Sequence, residues 1–155
     1  MENEQEIKYD RRMNEKQEFE LISNATGIQM KAWGKTVKEL FRNALRGTAM
    51  FLKPTGLAAA EKAKKIKHAI RVEAIDINTL LIEFVSHVLA LSDIHNMIFT
   101  NIIFKTIGEN FLEAELFGIA TDGFDQEIKA VSYHDIDIKR NQTSGLYETT
   151  LVFDV

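Results

Sequence analysis

Asp154 and Val155, the last two residues of the chain, offer hard oxygen atoms at adjacent positions. A carboxylate side chain beside the backbone carboxylate or carbonyl of the next residue suits Mg²⁺, Ca²⁺ or Mn²⁺, which prefer oxygen ligands. Two such ligands do not make a tight site, and Asn24, Asp135 and Asp137 are the candidates for a third. The alternative interpretation is that Asp154 is only the solvated end of a strand.

Lys129 and His134 belong to a second stretch that carries polar chemistry. A lysine near carboxylates balances their charge or donates to a phosphate, although Lys129 also fits a solvent-facing strand position. His134 alternates with Ala130 and Ile136 on one strand face, which favours a partly buried, hydrogen-bonded histidine over a metal ligand. Both residues are candidates for function, and each has a structural alternative.

The chain has no motif that indicates catalysis. It contains no cysteine, no glycine-rich phosphate loop, no zinc-protease histidine pair and no serine at a nucleophile elbow. The spacing of His68, His87 and His95 does not match that of metal ligands. Because no nucleophile–base pair is visible, the sequence predicts a protein that is not an enzyme.

Composition indicates a soluble cytoplasmic protein. The 155 residues carry a net charge of -4, which argues against binding of nucleic acid through a broad basic surface. The basic stretch from Lys62 to Lys67 is either a solvated face or a phosphate-contacting patch. The N-terminus is too polar for a secretory signal, and no apolar run approaches the roughly 20 residues of a membrane span.

Hydrophobic patterning predicts an α+β fold of two helices packed on a largely antiparallel β-sheet. A flexible, charged N-terminal extension over residues 1–16 precedes a single domain over residues 17–155. Thr36 with Glu39 forms a capping box for the first helix, and Asp76 or Asn78 caps the second. Residues 57–65 are a linker or a frayed helical turn. Strands are predicted at 19–22, 28–33, 67–74, 96–107, 110–118, 128–139 and 147–154.

Three segments resemble the archease family. The segment 128–134, Ile-Lys-Ala-Val-Ser-Tyr-His, is similar to the family's Val-Lys-Ala-x-Thr-Tyr-His, and the ending 151–155, Leu-Val-Phe-Asp-Val, is similar to its Val-Val-Phe-Asp-Ile. The segment 31–36, Lys-Ala-Trp-Gly-Lys-Thr, resembles its Arg-Ala-Tyr-Gly-x-Thr. The likeness runs from about Phe19 to the last residue.

The resemblance implies an accessory protein that promotes guanylylation and multiple turnover of an RtcB-type RNA ligase in tRNA splicing or RNA repair. Contact with RNA would then be indirect, through the ligase, and no membrane would be involved. Family members bind a divalent ion through an aspartate in a His-Thr-Ala/Gly-Asp loop, the penultimate aspartate and the C-terminal residue. The resemblance therefore assigns Asp154 and Val155 as metal ligands and Lys129 as a functional lysine.

The chain departs from the family in the metal-binding loop. The family's histidine falls on Asn24 and its aspartate on Gly27, which has no side-chain oxygen. If Asn24 or a backbone carbonyl serves as the substitute, a neutral ligand takes the place of the family's charged aspartate. We therefore expect the affinity for a divalent cation to be weakened or lost. The alternative function is then a metal-independent module that binds a protein or a ligand on the same scaffold.

Overall fold

The computed structural model describes residues 18–24 and 27–155. For Asn24 it describes the backbone but not the side chain. The predicted extension over residues 1–16 lies outside the described residues. The elements in chain order are β1 Phe19–Asn24, β2 Gly27–Gly34, α1 Val37–Leu52, α2 Gly56–Lys62, β3 Ile66–Glu73, α3 Ile77–His95, β4 Met97–Ile107, β5 Phe111–Ala120, β6 Ala130–Val131, β7 Lys139–Arg140 and β8 Tyr147–Asp154.

The described strands form two antiparallel sheets, which confirms the α+β class and divides the predicted sheet in two. The first has the order β1-β2-β8-β6, with β7 also paired to β8, and the second has the order β3-β5-β4. Helix α1 contacts β1 and β2 of the first sheet and β4 of the second, whereas α3 contacts β3, β4 and β6. The two long helices therefore join the sheets around one apolar core.

The predicted residues Thr36 and Glu39 cap the start of α1, although the Glu39 carboxylate bonds to the Lys35 amide and not to the Thr36 amide of a full capping box. The Thr36 hydroxyl accepts a hydrogen bond from the Glu39 amide at 3.1 Å, and the Glu39 carboxylate accepts one from the Lys35 amide at 3.2 Å. These contacts satisfy amides that have no partner within the helix. The apolar stripe predicted from the spacing of three and four residues is buried, with Leu40 and Phe41 fully enclosed.

Helix α3 is the most apolar helix. It begins at Asp76, whose carboxylate accepts from the Thr79 amide at 2.8 Å, and ends at Asn96, which adopts a left-handed conformation with φ 53°. Its length and composition would also suit a membrane-spanning helix. In the folded domain Leu80, Leu81, Phe84 and four other residues of α3 are buried, as in the core helix of a soluble protein.

Two arginines of α1 cover the edge of the second sheet. Arg42 donates to the carbonyl oxygen of Ile102 at 3.2 Å and Arg46 donates to that of Thr100 at 3.0 Å. Both acceptors belong to β4, which is an outer strand of its sheet. Burial lowers the pKa of Arg46, and the charge of Glu61 acts in the opposite direction. The arginines thus satisfy carbonyl groups that would otherwise have no partner strand.

Two secondary-structure predictions differ from the structure. Residues 128–139 are not one strand, because within this stretch pairing with β8 is confined to the short strands β6 and β7, and Asp135 between them adopts φ 62°. The Ser132 hydroxyl accepts from the His134 amide at 3.0 Å, a local turn contact that competes with strand pairing. The stretch 57–65, predicted as a linker or frayed turn, contains helix α2, which buries Leu57 and Ala60.

Candidate functional site

Lys129 and Asp154 are brought together by the short strand β6. The Lys129 amide donates to the Asp154 carbonyl oxygen at 2.7 Å, and Ala130 is the register partner of Asp154. Both Lys129 and Asp154 are exposed, whereas the neighbouring Val131 and Phe153 are buried. The buried pair holds the strand ends in place, so a lysine directly before β6 and an aspartate at the end of β8 are both exposed to solvent.

The β1–β2 connection lies beside the same end of β8. Ile28 is the register partner of Phe153, and Asn24 pairs with Gly27. A Cβ atom added to Gly27 would lie 3.5 Å from the Phe153 carbonyl oxygen. The structure therefore places Gly27, on which the resemblance puts the family's metal-binding aspartate, next to the strand that ends at Asp154. The Asn24 side chain, predicted as a substitute ligand, lies outside the described residues.

The backbone of Gly27 explains part of the departure in this loop. Its φ of 136° is a conformation that residues with a Cβ rarely adopt. An aspartate at this position would supply the missing carboxylate, but it would strain this backbone geometry. The glycine is thus consistent with the local backbone and provides no side-chain ligand.

The described residues do not form a suitable cation site. Among them, no group of three or more histidine, aspartate or glutamate side chains is placed to hold a metal ion. Asp154 and Val155 supply oxygen atoms from two adjacent residues, and Val155 is 47% exposed. This donor set is too small and too open for tight binding of Mg²⁺, Ca²⁺ or Mn²⁺, so we derive no step of function through a metal.

The remaining candidate residues lie on the loop between β6 and β7. His134 is not partly buried as predicted: its side chain is 86% exposed and its Nε2 lies 3.2 Å from the Asp135 carboxylate. Asp137 lies 3.5 Å from the Lys139 ammonium group. The two aspartates proposed as third ligands thus each lie beside a neighbouring side chain, Asp135 beside His134 and Asp137 beside Lys139. An exposed ion pair such as Asp137–Lys139 contributes little to stability.

The basic stretch from Lys62 to Lys67 is exposed throughout. The Lys67 Nζ atom lies 3.6 Å from the Glu115 carboxylate on the adjacent strand β5. Exposure agrees with the solvated-face interpretation, and a role in phosphate contact stays a prediction.

Sequence reasoning missed a groove of about 1010 Å³ between α3 and residues 124–131. Lys129 lines it, together with Asp93, Asp125 and Glu127. The signal for it in the sequence is the polar character of the segment 121–127, which predicts a loop and not a binding surface. Its position against α3 depends on contacts between residues far apart in the chain.

These features define a small α+β protein with two antiparallel sheets and with an exposed lysine and an exposed aspartate joined through their main chains at the end of one of them. The archease protein family matches residues 19–155, and the chain belongs to this family. The chain is similar to the archease of Methanosarcina acetivorans, with 24% identity over 145 residues that cover 88% of this chain and 95% of that protein. It is also similar to the archease of Pyrococcus furiosus, with 27% identity over 148 residues, 89% of this chain and 99% of that protein.

Solved structures show the same fold. The solution structure of Methanobacterium thermoautotrophicum protein 1598 has a TM-score of 0.64 and 20% identity, and covers 89% of this chain and 99% of that protein. The crystal structure of an archease from Thermotoga maritima, described as a possible chaperone, has a TM-score of 0.59 and 17% identity, and covers 86% and 94% of the two chains. At these identities the likeness establishes the fold alone.

Proposed function

We propose that this protein is a cytoplasmic, non-catalytic accessory factor that promotes guanylylation and multiple turnover of an RtcB-type RNA ligase. Its partner is the ligase itself, and RNA is reached only through the ligase. The observation that carries the proposal is the contact between Lys129 and Asp154, which are far apart in sequence and adjacent in the sheet. Family membership over residues 19–155 supports it.

The geometry supports an interaction role for this site. An exposed lysine and an exposed carboxylate on adjacent strands can contact complementary charges on a partner without a long loop having to become ordered. Lys129 supplies an ammonium donor suited to a phosphate or a carboxylate, and Asp154 supplies an acceptor. His134 is our candidate for a further contact, because its ring is exposed on the loop that follows β6.

The test is a guanylylation assay with the RtcB-type ligase from the same source, with and without this protein. Addition should raise the amount of guanylylated ligase and convert single turnover of RNA joining into multiple turnover. Lys129→Ala and Asp154→Ala should each reduce the stimulation at least about tenfold, the effect of losing a charged contact worth 1.4 kcal/mol or more.

Matched variants separate the site from general surface charge. Lys139→Ala removes another exposed lysine from a strand that pairs with β8, and Asp137→Ala removes its ion-pair partner. Both should leave the stimulation unchanged. If the wild-type protein changes neither guanylylation nor turnover, the proposal is wrong.

A metal-independent binding module is the second candidate function. The observation that favours it is Gly27, whose backbone geometry suits glycine and whose position offers no side-chain oxygen. In this case, stimulation of the ligase would be absent, and Asp154→Ala would not affect binding of the partner. A finding that Asp154 is indispensable for ligase stimulation would reject this candidate.

A further inference from the structure

The groove between α3 and residues 124–131 has two different walls. One wall is the C-terminal half of α3, from Ser86 to Asp93, and the other is the extended segment that leads into β6. Its volume is about 1010 Å³, and it is partly open to solvent. This is enough space for several side chains of a bound segment.

The wall formed by residues 124–131 is held in place from both ends. At its start, the amides of Asp125 and Gln126 donate to the Leu52 carbonyl oxygen at 2.8 and 3.3 Å. At its end, the Lys129 amide donates to Asp154 and the Ser132 amide donates to Val152, both on β8. An anchored wall presents its backbone in a defined conformation, which lowers the entropy cost of binding.

Strand β6 pairs on one side only. In the first sheet it is the last strand of the order β1-β2-β8-β6, and α3 packs against it. An extended peptide can add to such an unpaired edge through main-chain hydrogen bonds. The groove beside β6 is where such a peptide would lie, since Lys129, Ala130 and Val131 line it.

The residues that line the groove indicate which side chains a bound peptide segment would carry. Leu89, Phe124 and Ile128 provide partly buried apolar contacts. Asp93, Asp125 and Glu127 are exposed carboxylates, against the single ammonium group of Lys129, so the lining is negative overall. Alternating side chains of a bound strand point in opposite directions, which would let one set meet the apolar residues and the other meet the carboxylates.

Ser92 gives a second indication that the groove takes a polar ligand. It lies on the α3 wall and is 2% exposed, and its hydroxyl oxygen has no hydrogen-bond partner. A buried hydroxyl without a partner costs free energy, which a donor or acceptor from a bound segment would recover.

We propose that this groove binds an extended peptide segment of a protein partner, with alternating apolar and basic side chains, as an added strand beside β6. The proposal concerns a protein–protein contact and does not depend on whether the partner is an RNA ligase. Main-chain hydrogen bonds to the β6 edge would supply affinity, and the carboxylates would supply preference for lysine or arginine.

The test uses the full chain and a fluorescent, capped peptide of about six residues, a usual strand length, in which valine and arginine alternate. Fluorescence anisotropy should show saturable binding. Three control peptides separate the contributions: glutamate in place of arginine removes charge complementarity, serine in place of valine removes apolar contact, and proline in place of alternate valines prevents main-chain pairing. Each control peptide should bind at least about tenfold more weakly.

Variants of the protein locate the site. Ala90→Arg puts a long cationic side chain on an exposed, groove-lining position of α3, and the double variant Asp125→Asn with Glu127→Gln neutralises the rim. Both should weaken binding of the valine–arginine peptide at least about tenfold. His87→Arg, an exposed α3 position outside the groove, and Asp122→Asn are the matched controls and should bind normally.

Several results would overturn the proposal. These are absence of binding, equal binding of the proline-containing peptide, and equal binding by Ala90→Arg. Sedimentation of the free protein provides a further test: a dimer that Ala90→Arg dissociates would mean that a second copy of this chain, rather than a partner peptide, occupies the groove. All these variants change exposed side chains, and unchanged thermal unfolding will confirm that they fold.

Discussion

The backbone amide of Lys129 donates a hydrogen bond to the carbonyl oxygen of Asp154 at 2.7 Å, across the pairing of β6 with β8. This contact places the two residues that family resemblance assigns to function on neighbouring strands at the end of one sheet. It involves only main-chain atoms, so it positions both side chains without using them. The lysine ammonium and the aspartate carboxylate remain free to contact a partner from solvent-exposed positions.

This arrangement predicts that Lys129 and Asp154 act as a unit. In the guanylylation assay, the double variant Lys129→Ala with Asp154→Ala should lose no more stimulation than the more damaging single variant, because adjacent residues that contact one partner surface couple strongly. Thermal unfolding should be nearly unchanged in all three variants, since the main-chain bond is retained. Fully additive losses in the double variant would show that the two residues act independently.

Cation binding is expected to be weak because, among the residues that the structure describes, Gly27 leaves Asp154 and Val155 as the two ligand residues predicted for the site. Calorimetric titration of the metal-free protein with Mn²⁺, Mg²⁺ and Ca²⁺ should give a Kd of about 1 mM or weaker, or no heat at all. Asp154→Ala should abolish any binding that is seen, and Asp137→Ala should not. Tight, micromolar binding that survives Asp154→Ala would contradict the assignment of the site.

Gly27→Asp tests the departure from the family directly. The added carboxylate should tighten Mn²⁺ affinity by about tenfold or more, since a charged ligand joins two existing oxygen ligands. It should also lower the melting temperature of the metal-free protein, because φ of 136° suits glycine. Gly27→Ala is the matched control, with the same backbone strain and no new ligand. Equal affinity in both variants would show that the loop does not reach the cation.

Gly118 is predicted to be essential for packing of β5 against β4. An added Cβ would meet the Ile98 carbonyl oxygen and lie 2.9 Å from the Ile98 carbonyl carbon, and both belong to the backbone, which cannot rotate away. Gly118→Ala should therefore lower the free energy of unfolding by about 1–3 kcal/mol, measured by urea denaturation. Gly123→Ala is the control: no atom lies within 4 Å of its added Cβ, so stability should change by less than about 0.5 kcal/mol.

Tyr133 is predicted to titrate above its usual pKa of 10.0. Its hydroxyl donates to the Glu83 carboxylate on α3, and this hydrogen bond, followed by burial and the negative charge of Glu83, raises the pKa. Because the folded pKa exceeds the unfolded one, the stabilisation is fully present below the unfolded pKa and is lost as the pH rises through the folded value. An ultraviolet titration of the wild type minus that of Tyr133→Phe should report this elevated midpoint. Glu83→Gln should bring it down, and an unchanged midpoint in Glu83→Gln would show that the contact is absent.

Local pattern was enough to predict most elements. The spacing of apolar residues predicted α1 and α3, and the cap residues Thr36 and Asp76 marked their starts correctly, because capping depends on atoms only three residues away. The hairpin of β4 with β5 and the strand β8 were also predicted, with bounds within a few residues of those observed.

Long-range contacts decided the segment 128–139. Its alternation of apolar and polar residues holds only in part: Ile136 and Ile138 of the predicted apolar face pack against the core, whereas Ala130 of that face is exposed and Val131 of the opposite face is buried. However, the Tyr133 hydroxyl and the Ile138 amide bond to Glu83 and Asn78 of α3 instead of to a strand. A period of two in the sequence does not reveal whether a neighbouring strand is present to pair with it.

The α+β class, the family and the choice of Lys129 and Asp154 as candidate residues could be read from the amino-acid sequence, because they follow from local periodicity and short motifs. The division into two sheets, the contact between Lys129 and Asp154 and the groove beside β6 became visible in the folded structure. These three features depend on pairing and packing between residues that are distant in the chain, and the free energy of such contacts is set by the whole fold rather than by any one segment.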